Sequence, residues 1–332
     1  MVTIRHVAAR AGVGAGTVSR VLNGSPKVSA PTRERVLAAI DELSYRPNPL
    51  AQGLSRGRCQ TLGVVVPFFT HASAVERLRG VVSALDDSRY DLVLFNVESP
   101  IHRDEHFASL TRRDRADGLL VLSLPPRPAD LDRLTAAGVP VVLVDVHGTG
   151  VPSVVTDNEE GGRMATRLLV DLGHECIAFI GEEPDNPLGF VSGTARQQGY
   201  SDVMAAAGLR EVVVHGPHDR LVTQNLAADL LERESRLTAM FASSDVQATG
   251  VLAAARAADV RVPDELSVVG FDDIEISAYA GLTTVRQPLF ESGRIGVEML
   301  LGALSGDSEH HLGVRELPLE LVVRTTTGAP RP

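Results

Sequence analysis

The most constraining feature of this sequence is a series of short apolar runs that alternate with amphipathic stretches of helical length from Thr61 onwards. The runs read TLGVVVP, YDLVLFN, DGLLVLS, VPVVLVD, CIAFIG, LTAMFAS and LSVVGFD. Continuous apolar runs of this kind are typical of strands that are buried on both faces of a parallel sheet. Serial β–α units therefore predict a doubly wound α/β fold, and two clusters of runs predict two sheets of similar size.

The first 45 residues follow a different pattern, that of three short helices. Thr3 is a candidate N-cap for the first helix, and Gly12 ends that helix. The second helix stops at Asn23-Gly24, and Ser29 begins the third. Two helices that are joined by a tight glycine-containing turn and supported by a third form the plan of a helix-turn-helix unit.

Residues 46–58, RPNPLAQGLSRGR, break the composition between these two parts. Two prolines, two glycines and three arginines indicate a linker, with a short helix over Leu50 to Ser55. The chain ends in TTTGAPRP, which predicts a frayed polar tail.

Charge is divided unevenly along the chain. The formal net charge is −10, yet residues 1–58 carry nine basic and three acidic side chains, which leaves a net charge of −16 on the remainder. A basic head on an acidic body indicates that the head meets a polyanion such as DNA.

Composition excludes several other classes of protein. Hydrophobic residues make up 44% and charged residues 22% of the chain, which is ordinary for a globular protein. No apolar stretch approaches the roughly 18–20 residues of a membrane span, and the N-terminus has no signal-peptide core. Two cysteines are too few for a disulfide framework or a four-cysteine zinc site. We therefore expect a cytoplasmic protein without a membrane partner.

The run TIRHVAARAGVGAGTVSRVLNG, followed by VSAPTRERVLAAIDELSYRPN, closely resembles the LacI/GalR family of bacterial transcriptional regulators. The later segments VVLVD, GHECIAFIG, TARQQGY, ASSDVQATG, VPDELSVVGFDD and LTTVRQP resemble the effector-binding core of the same family. The resemblance implies a helix-turn-helix head, a hinge helix and a core like that of periplasmic sugar-binding proteins. It also implies a homodimeric repressor of a pseudo-palindromic operator, controlled by a small-molecule effector, with a sugar as the expected class.

This resemblance also gives domain boundaries. We expect a DNA-binding domain over 1–45, a hinge over 46–58, an effector-binding and dimerisation core over 59–328 and a tail over 329–332. Within the core, the N-subdomain is expected to cover about 60–157 and 289–315, and the C-subdomain about 158–286 and 316–328.

The resemblance assigns the second helix to the major groove of DNA, with Ala15, Gly16 and Arg20 at the positions that read bases. Arg20 suits a bidentate contact to guanine, whereas Ala15 and Gly16 offer little to a base edge, so DNA shape is expected to share the readout. The positions that match phosphate contacts are Thr3, Thr17, Ser19, Asn23 and Tyr45. For Thr17 and Ser19 the alternative is a solvated helix face.

Hinge positions follow from the same resemblance. Asn48, Ala51 and Leu54 match the residues that meet the minor groove. Leu54 is expected to wedge between two base pairs and kink the DNA, and its alternative is packing against the core.

For the core, the resemblance places the effector in a cleft between the two subdomains. Asp145 and Asp272 follow buried strands, where α/β sheets bind ligands, and carboxylates accept paired hydrogen bonds from sugar hydroxyls but repel anions. Arg196 offers a fork of N–H donors. The full set of matching positions is Phe68, Asp145, Ser192, Arg196, Ser244, Asp272 and Gln287.

Some of these side chains also have a structural interpretation. Phe68, Phe69 and Phe190 are either apolar faces for a sugar ring or parts of the core. Asp245 and Asp273, which neighbour two of the effector positions, are candidate structural caps.

One motif supports a rival class of function. His102, Glu105 and His106 match the HxxEH pattern of a metal-dependent hydrolase, although no third ligand is evident and a solvated helix face explains the same spacing. A transport binding protein is a second rival, opposed by the basic head. We predict no cofactor, no metal and no catalytic residue. The sequence has no leucine heptad tail of the kind that forms tetramers in this family. We therefore expect dimers rather than tetramers.

Overall fold

The computed structural model describes residues 2–46, 59–86, 88–112, 114–306 and 313–331. The chain divides into two compact units, Met1–Gln60 and Thr61–Pro332.

The first unit contains the three predicted helices: α1 (Ile4–Ala11), α2 (Ala15–Leu22) and α3 (Ala30–Glu42). Each helix contributes one valine that is fully buried, namely Val7, Val18 and Val36. Helix α1 ends at Gly12, whose φ of 66° directs the chain into the short turn before α2. The helix-turn-helix prediction is therefore confirmed.

The second unit is built from strands and helices in alternation. Its strands are β1 (Thr61–Pro67), β2 (Asp91–Val97), β3 (Gly118–Leu122), β4 (Val141–Val144), β5 (Ser153–Val155), β6 (Ile177–Gly181), β7 (Val212–His215), β8 (Ala239–Ala242), β9 (Ser267–Asp272), β10 (Thr283–Arg286), β11 (Val314–Glu316) and β12 (Glu320–Val322). Its helices are α4 (Ala72–Leu85), α5 (Pro100–Leu110), α6 (Pro128–Ala136), α7 (Asn158–Asp171), α8 (Ser192–Ala206), α9 (Arg220–Arg233), α10 (Asp245–Ala257), α11 (Glu275–Tyr279) and α12 (Leu289–Ser305).

These strands form two six-stranded sheets, as the two clusters of apolar runs predict. Sheet 1 has the order β11-β5-β4-β3-β1-β2, and sheet 2 has the order β12-β10-β9-β8-β6-β7. Neighbouring strands are parallel, with pairs such as Val64↔Leu94 between β1 and β2. The exception is β12, which runs antiparallel to β10 at the edge of sheet 2. Such an edge strand is common on an otherwise parallel sheet.

Both faces of each sheet are covered by apolar clusters. Val65 and Leu119 belong to a cluster on one face of sheet 1, and Val64 and Leu120 belong to a cluster on the other face. Sheet 2 is enclosed in the same way by two further clusters. Burial on both sides explains why the sequences of the central strands are continuous apolar runs rather than alternating ones.

The chain passes between the sheets three times, after β5, after β10 and after β11. The first two passages contain Thr156 and Gln287, which places these side chains between the halves of the unit. Among the helices of the described residues, none is both long and apolar enough to span a membrane.

Candidate functional site

A cavity of about 540 Å³ lies in the second unit, where strands of both sheets reach their carboxyl ends. Sheet 1 contributes the ends of β1, β3 and β4, and sheet 2 contributes those of β6, β7, β9 and β10. Ligands of doubly wound α/β folds bind at this edge of the sheet. The cavity is within the 300–1,000 Å³ range of small-molecule sites.

Sheet 1 supplies a buried ion pair to the cavity wall. The Arg77 guanidinium, on α4, lies 3.0 Å from Oδ2 of Asp145, and the two side chains are only 4% and 7% exposed. The Ser123 hydroxyl donates to the same carboxylate oxygen at 2.9 Å.

Sheet 2 supplies a second arginine and a second carboxylate. Nη1 of Arg196 lies 3.9 Å from Oδ1 of Asp272, and both side chains are buried. Arg196 is fixed by hydrogen bonds from Nε to Asn158 Oδ1 at 2.8 Å and from Nη1 to the Ser243 carbonyl oxygen at 2.6 Å. Its guanidinium also lies 3.8 Å above the centre of the Phe271 ring. Arg196 is therefore held in one orientation towards the cavity.

Gln287 joins the two halves of the site. Its side-chain amide donates to Asp272 Oδ1 at 2.6 Å, and its carbonyl oxygen accepts from Arg77 Nη2 and Thr156 Oγ1, each at 3.3 Å. A chain of contacts thus runs from Asp145 through Arg77 and Gln287 to Asp272.

Backbone strain accompanies these polar contacts. Phe68, Ser123, Asp145 and Asp272 all line the cavity and have positive φ angles of 43°, 49°, 66° and 119°. Residues other than glycine adopt such angles at an energetic cost, and they cluster at functional sites.

A group of aromatic and titratable side chains closes one end of the cavity. The His71 ring stacks on Phe68 and on His218, with 5.0 Å between ring centres in each case. Nδ1 of His218 lies 2.9 Å from Glu182 Oε1. Burial and the neighbouring His218 lower the pKa of His71. Burial opposes ionisation of Glu182, but the hydrogen bond and charge of His218 outweigh it, so the pKa of Glu182 is below its ordinary value.

Asp245 and Asp273 take the structural role that the sequence left open. Asp245 is fully buried and accepts hydrogen bonds from the Ile274 backbone and the hydroxyls of Ser277 and Thr284. Burial and the charge of Asp272 raise the pKa of Asp245. The Asp273 carboxylate is paired with Arg286 and Arg324, each at 2.7 Å.

The structure brings most of the sequence-predicted effector residues together. The cavity wall contains Phe68, Asp145, Ser192, Arg196, Asp272 and Gln287, and also Phe190. Ser244 is not on this wall: its hydroxyl caps α10 by accepting from the Gln247 backbone at 3.2 Å. Phe69 lies in a separate exposed groove.

Sequence reasoning missed Arg77, Ser123, His71, Glu182 and His218, all of which line the cavity. For Ser123 and Glu182, a position directly after a strand is the available signal, whereas Arg77 lies within α4. Ser123 directly follows the run LLVL, and Glu182 directly follows IAFIG.

The HxxEH pattern has no metal-binding geometry. The His102 and His106 rings are 6.4 Å apart, and His106 Nε2 lies 3.0 Å from the backbone oxygen of Asn96. Across the described part of the chain, no group of three or more histidine, cysteine or acidic side chains is placed to hold a metal ion. The metal-dependent hydrolase is therefore not supported.

The predicted DNA contacts lie in the first unit. Gly16 and Arg20 are exposed on α2, Thr3 and Asn23 are also exposed, and Ala15, Thr17, Ser19 and Tyr45 are half-buried. Asn48, Ala51 and Leu54 are outside the described residues.

Two family patterns match this chain. The pattern for bacterial regulatory proteins of the lacI family matches residues 3–48, and the pattern for a periplasmic binding protein-like domain matches residues 166–327.

Known proteins and structures resemble the chain over almost its whole length. The HTH-type transcriptional regulator CelR of Thermobifida fusca is 37% identical over 341 residues, which cover 95% of this chain and 97% of that protein. A Lac repressor dimer, solved bound to operator and the anti-inducer ONPF, has a TM-score of 0.83 and 30% identity and covers 99% of each chain. A complex of transcriptional regulator CelR with cellobiose has a TM-score of 0.71 and 34% identity, with 98% of this chain and 100% of that chain covered.

Proposed function

Because the chain belongs to the LacI family of bacterial regulatory proteins, we propose that it is a homodimeric repressor whose operator affinity is controlled by a neutral sugar in the cavity of the second unit. The protein is a DNA-binding transcriptional regulator and, in this proposal, has no enzymatic activity. Its place is the cytoplasm, since it must reach its operator.

One observation carries the choice of a neutral effector. The cavity wall contains five carboxylates, from Asp145, Glu182, Glu183, Asp185 and Asp272. Among the described residues, the arginines of this wall are Arg77 and Arg196, and both lie beside a carboxylate of the wall. An anionic effector would meet net negative charge, whereas sugar hydroxyls donate to carboxylates and accept from guanidinium groups.

The relatives agree with this class of ligand. The CelR structure that resembles this chain contains cellobiose, and the Lac repressor structure contains operator DNA. For this chain we propose DNA contacts through α2, with Arg20 as the main base-reading residue and Leu54 as the wedge in the minor groove.

An apolar surface supports the homodimer. Phe69, Val75 and Val82 are 40%, 43% and 53% exposed, and they line a groove with Leu78 and Phe290 beside α4. Exposed apolar groups that are gathered in one place are typical of a protein–protein contact, and a twofold dimer would bury the same patch on both subunits.

In this proposal the boundaries within the core follow the two sheets, with an N-subdomain at about 60–157 and 289–315 and a C-subdomain at about 158–286 and 316–328. Asp145 belongs to the first subdomain, and Arg196 and Asp272 belong to the second. A sugar that contacts both favours a closed cleft and shifts the equilibrium only by its difference in affinity for the two states.

The test has two steps. Selection of random duplex DNA with the purified protein should enrich a sequence with twofold symmetry, and thermal shift with neutral sugars and sugar phosphates should find a neutral ligand. Calorimetry of that ligand with and without operator should give different affinities, since coupling between two sites is reciprocal.

Asp272→Ala should abolish the ligand response while operator binding is retained, because the helices that contact DNA belong to the other unit. Failure to enrich any duplex would refute the regulator, and preferential binding of a sugar phosphate would refute the neutral effector. Equal ligand affinities with and without operator would refute the control of DNA binding.

A further inference from the structure

The two halves of the second unit repeat one another in topology. Strand for strand, the order from β11 to β2 in sheet 1 corresponds to the order from β12 to β7 in sheet 2. In this correspondence, β1 and α4 match β6 and α8, and β4 matches β9. Helix α12, which packs on α4, likewise matches α7, which packs on α8.

The correspondence extends to single atoms at Arg77 and Arg196. A Cβ atom built on Gly293 of α12 would lie 2.0 Å from the Arg77 carbonyl oxygen, and one built on Gly162 of α7 would lie 2.1 Å from the Arg196 carbonyl oxygen. Each arginine therefore sits where a glycine lets the facing helix approach its backbone directly.

Each arginine is also followed three residues later by a glycine in the same kind of contact. A Cβ atom on Gly80 would lie 1.9 Å from a carbonyl oxygen of α12, and one on Gly199 would lie 2.0 Å from a carbonyl oxygen of α7. The segments RLRG and RQQG thus occupy equivalent places in the two halves.

Asp145 and Asp272 also occupy equivalent places in the two halves of the second unit. Asp145 directly follows β4 and Asp272 is the last residue of β9, and both have positive φ angles, 66° and 119°. Arg77 faces Asp145 at 3.0 Å, and Arg196 faces Asp272 at 3.9 Å. The cavity therefore has one arginine–aspartate pair on each side.

We propose that Arg77 is a second effector-reading arginine, the pseudo-symmetric counterpart of Arg196, and that the pairs Arg77–Asp145 and Arg196–Asp272 bind hydroxyls on opposite sides of one neutral sugar. This inference rests on the proposed function, because it assigns a further specificity residue to the same cavity.

Unsatisfied polar atoms on the sheet 1 side support the assignment. Nε of Arg77 and Oδ1 of Asp145 are buried without a hydrogen-bond partner among the described residues. Both contacts of Arg77 use Nη2, and both contacts of Asp145 use Oδ2. A buried donor and a buried acceptor without partners are costly, and a hydroxyl group, which both donates and accepts, is the group that satisfies such a pair.

The experiment compares Arg77→Lys with Arg196→Lys. Calorimetry first screens the full-length wild-type protein with cellobiose, lactose, D-glucose and D-ribose, and the sugar that binds is then titrated together with its monodeoxy analogues. The double variant Arg77→Met/Asp145→Asn removes both charges of the pair, so a folding defect from an unpaired buried carboxylate is separated from lost recognition. Arg210→Lys is the matched control, because Arg210 is 68% exposed and pairs with Glu234 outside the cavity.

We expect Arg77→Lys and the double variant to weaken binding of the parent sugar at least tenfold, with Arg210→Lys within twofold of wild type. In Arg77→Lys, at least one deoxy analogue should bind as tightly as the parent sugar, because the hydroxyl that it lacks no longer has its partner. In Arg196→Lys, the analogue that binds as tightly as the parent sugar should lack a hydroxyl at a different position. If Arg77 is purely structural, the loss of affinity on removal of each sugar hydroxyl will be the same in the variant as in the wild-type protein. That result would overturn the proposal. A wild-type protein that binds none of the four sugars would overturn the proposed effector class before any variant is compared, and this inference with it.

Discussion

Gln287 gives the most direct prediction about how the halves of the cavity are held together. Its side chain makes three hydrogen bonds, two of them buried, at 2.6 Å to Asp272 and at 3.3 Å to Arg77, and one partly buried, at 3.3 Å to Thr156. Two of these involve charged groups, for which about 1.5–3 kcal/mol each is typical, and the third adds about 0.5–1.5 kcal/mol. The buried leucine of Gln287→Leu recovers roughly 1.5–3 kcal/mol through apolar burial. We therefore expect the free energy of unfolding to fall by about 3 kcal/mol in total.

Urea unfolding at a fixed protein concentration, followed by far-UV circular dichroism, measures this loss. The matched control is Gln198→Leu, since Gln198 is exposed on α8 and donates to Asp202 at 2.8 Å. We expect the control to change the free energy of unfolding by less than about 0.5 kcal/mol. If the free energy of unfolding falls by less than about 1 kcal/mol in Gln287→Leu, the hydrogen bonds of Gln287 do not stabilise the contact between the two halves of the cavity.

A second substitution at the same position gives a pH signature. Burial raises the pKa of Asp272, although Arg196 opposes this effect. Gln287→Glu places a further carboxyl against Asp272, which raises the pKa of both groups in the folded state. Acids with raised folded-state pKa values favour the folded protein at low pH, and this contribution is lost as the pH rises through those values. The variant should therefore lose more stability at pH 8 than at pH 5, and an equal loss at both would contradict the coupling.

Two other predictions concern different parts of the chain. Arg20→Ala should weaken operator binding by about 1–3 kcal/mol and relax the preference at one base position in each half-site, as measured by competition with variant operators; an equal loss for all four bases would contradict direct readout. His174 is buried, with Nδ1 2.9 Å from Thr238 Oγ1, and burial lowers its pKa from 6.5. A lowered histidine pKa stabilises the fold above about pH 6.5 and costs stability as the pH falls below that value, so His174→Gln should make the free energy of unfolding less sensitive to pH between 7.5 and 5.5.

The sequence predicts most of the apolar strands of four or more residues and misses shorter or more polar ones for a physical reason. Seven apolar runs correspond to β1, β2, β3, β4, β6, β8 and β9, and all of these except the edge strand β2 are buried in the sheets. Strands β5, β11 and β12 have only three residues, and TTVR of β10 has too little apolar character for a periodicity argument. Their place is determined by the neighbouring strand rather than by their own sequence.

The sequence likewise predicts some side chains of the cavity and misses others. Asp145 and Asp272 were predictable because each follows a strongly apolar strand. Arg77 was not, because within ERLRG it has the character of a solvated helix residue. Its burial follows from the close approach of Gly293 and from Asp145, which lies 68 positions further along the chain. Ser244 lies just behind the cavity wall, because a serine at the start of a helix caps that helix, and its hydroxyl is 3.4 Å from Nδ1 of the wall residue His218.

Two arginine–aspartate pairs also set how completely a ligand can switch the protein. Moving a two-state equilibrium from 1:99 to 99:1 takes about 5.5 kcal/mol of differential binding. A charge-assisted hydrogen bond contributes about 1.5–3 kcal/mol, so two pairs that are engaged together only in the closed cleft supply most of this amount, and one pair supplies about half. We therefore expect saturating sugar to change the operator affinity of Arg77→Lys only partially, with a plateau that more ligand does not change. Fluorescence anisotropy of labelled operator against sugar concentration measures the plateau directly. A variant that needs more sugar but reaches the wild-type plateau would mean that Arg77 binds both states of the cleft equally and takes no part in the switch.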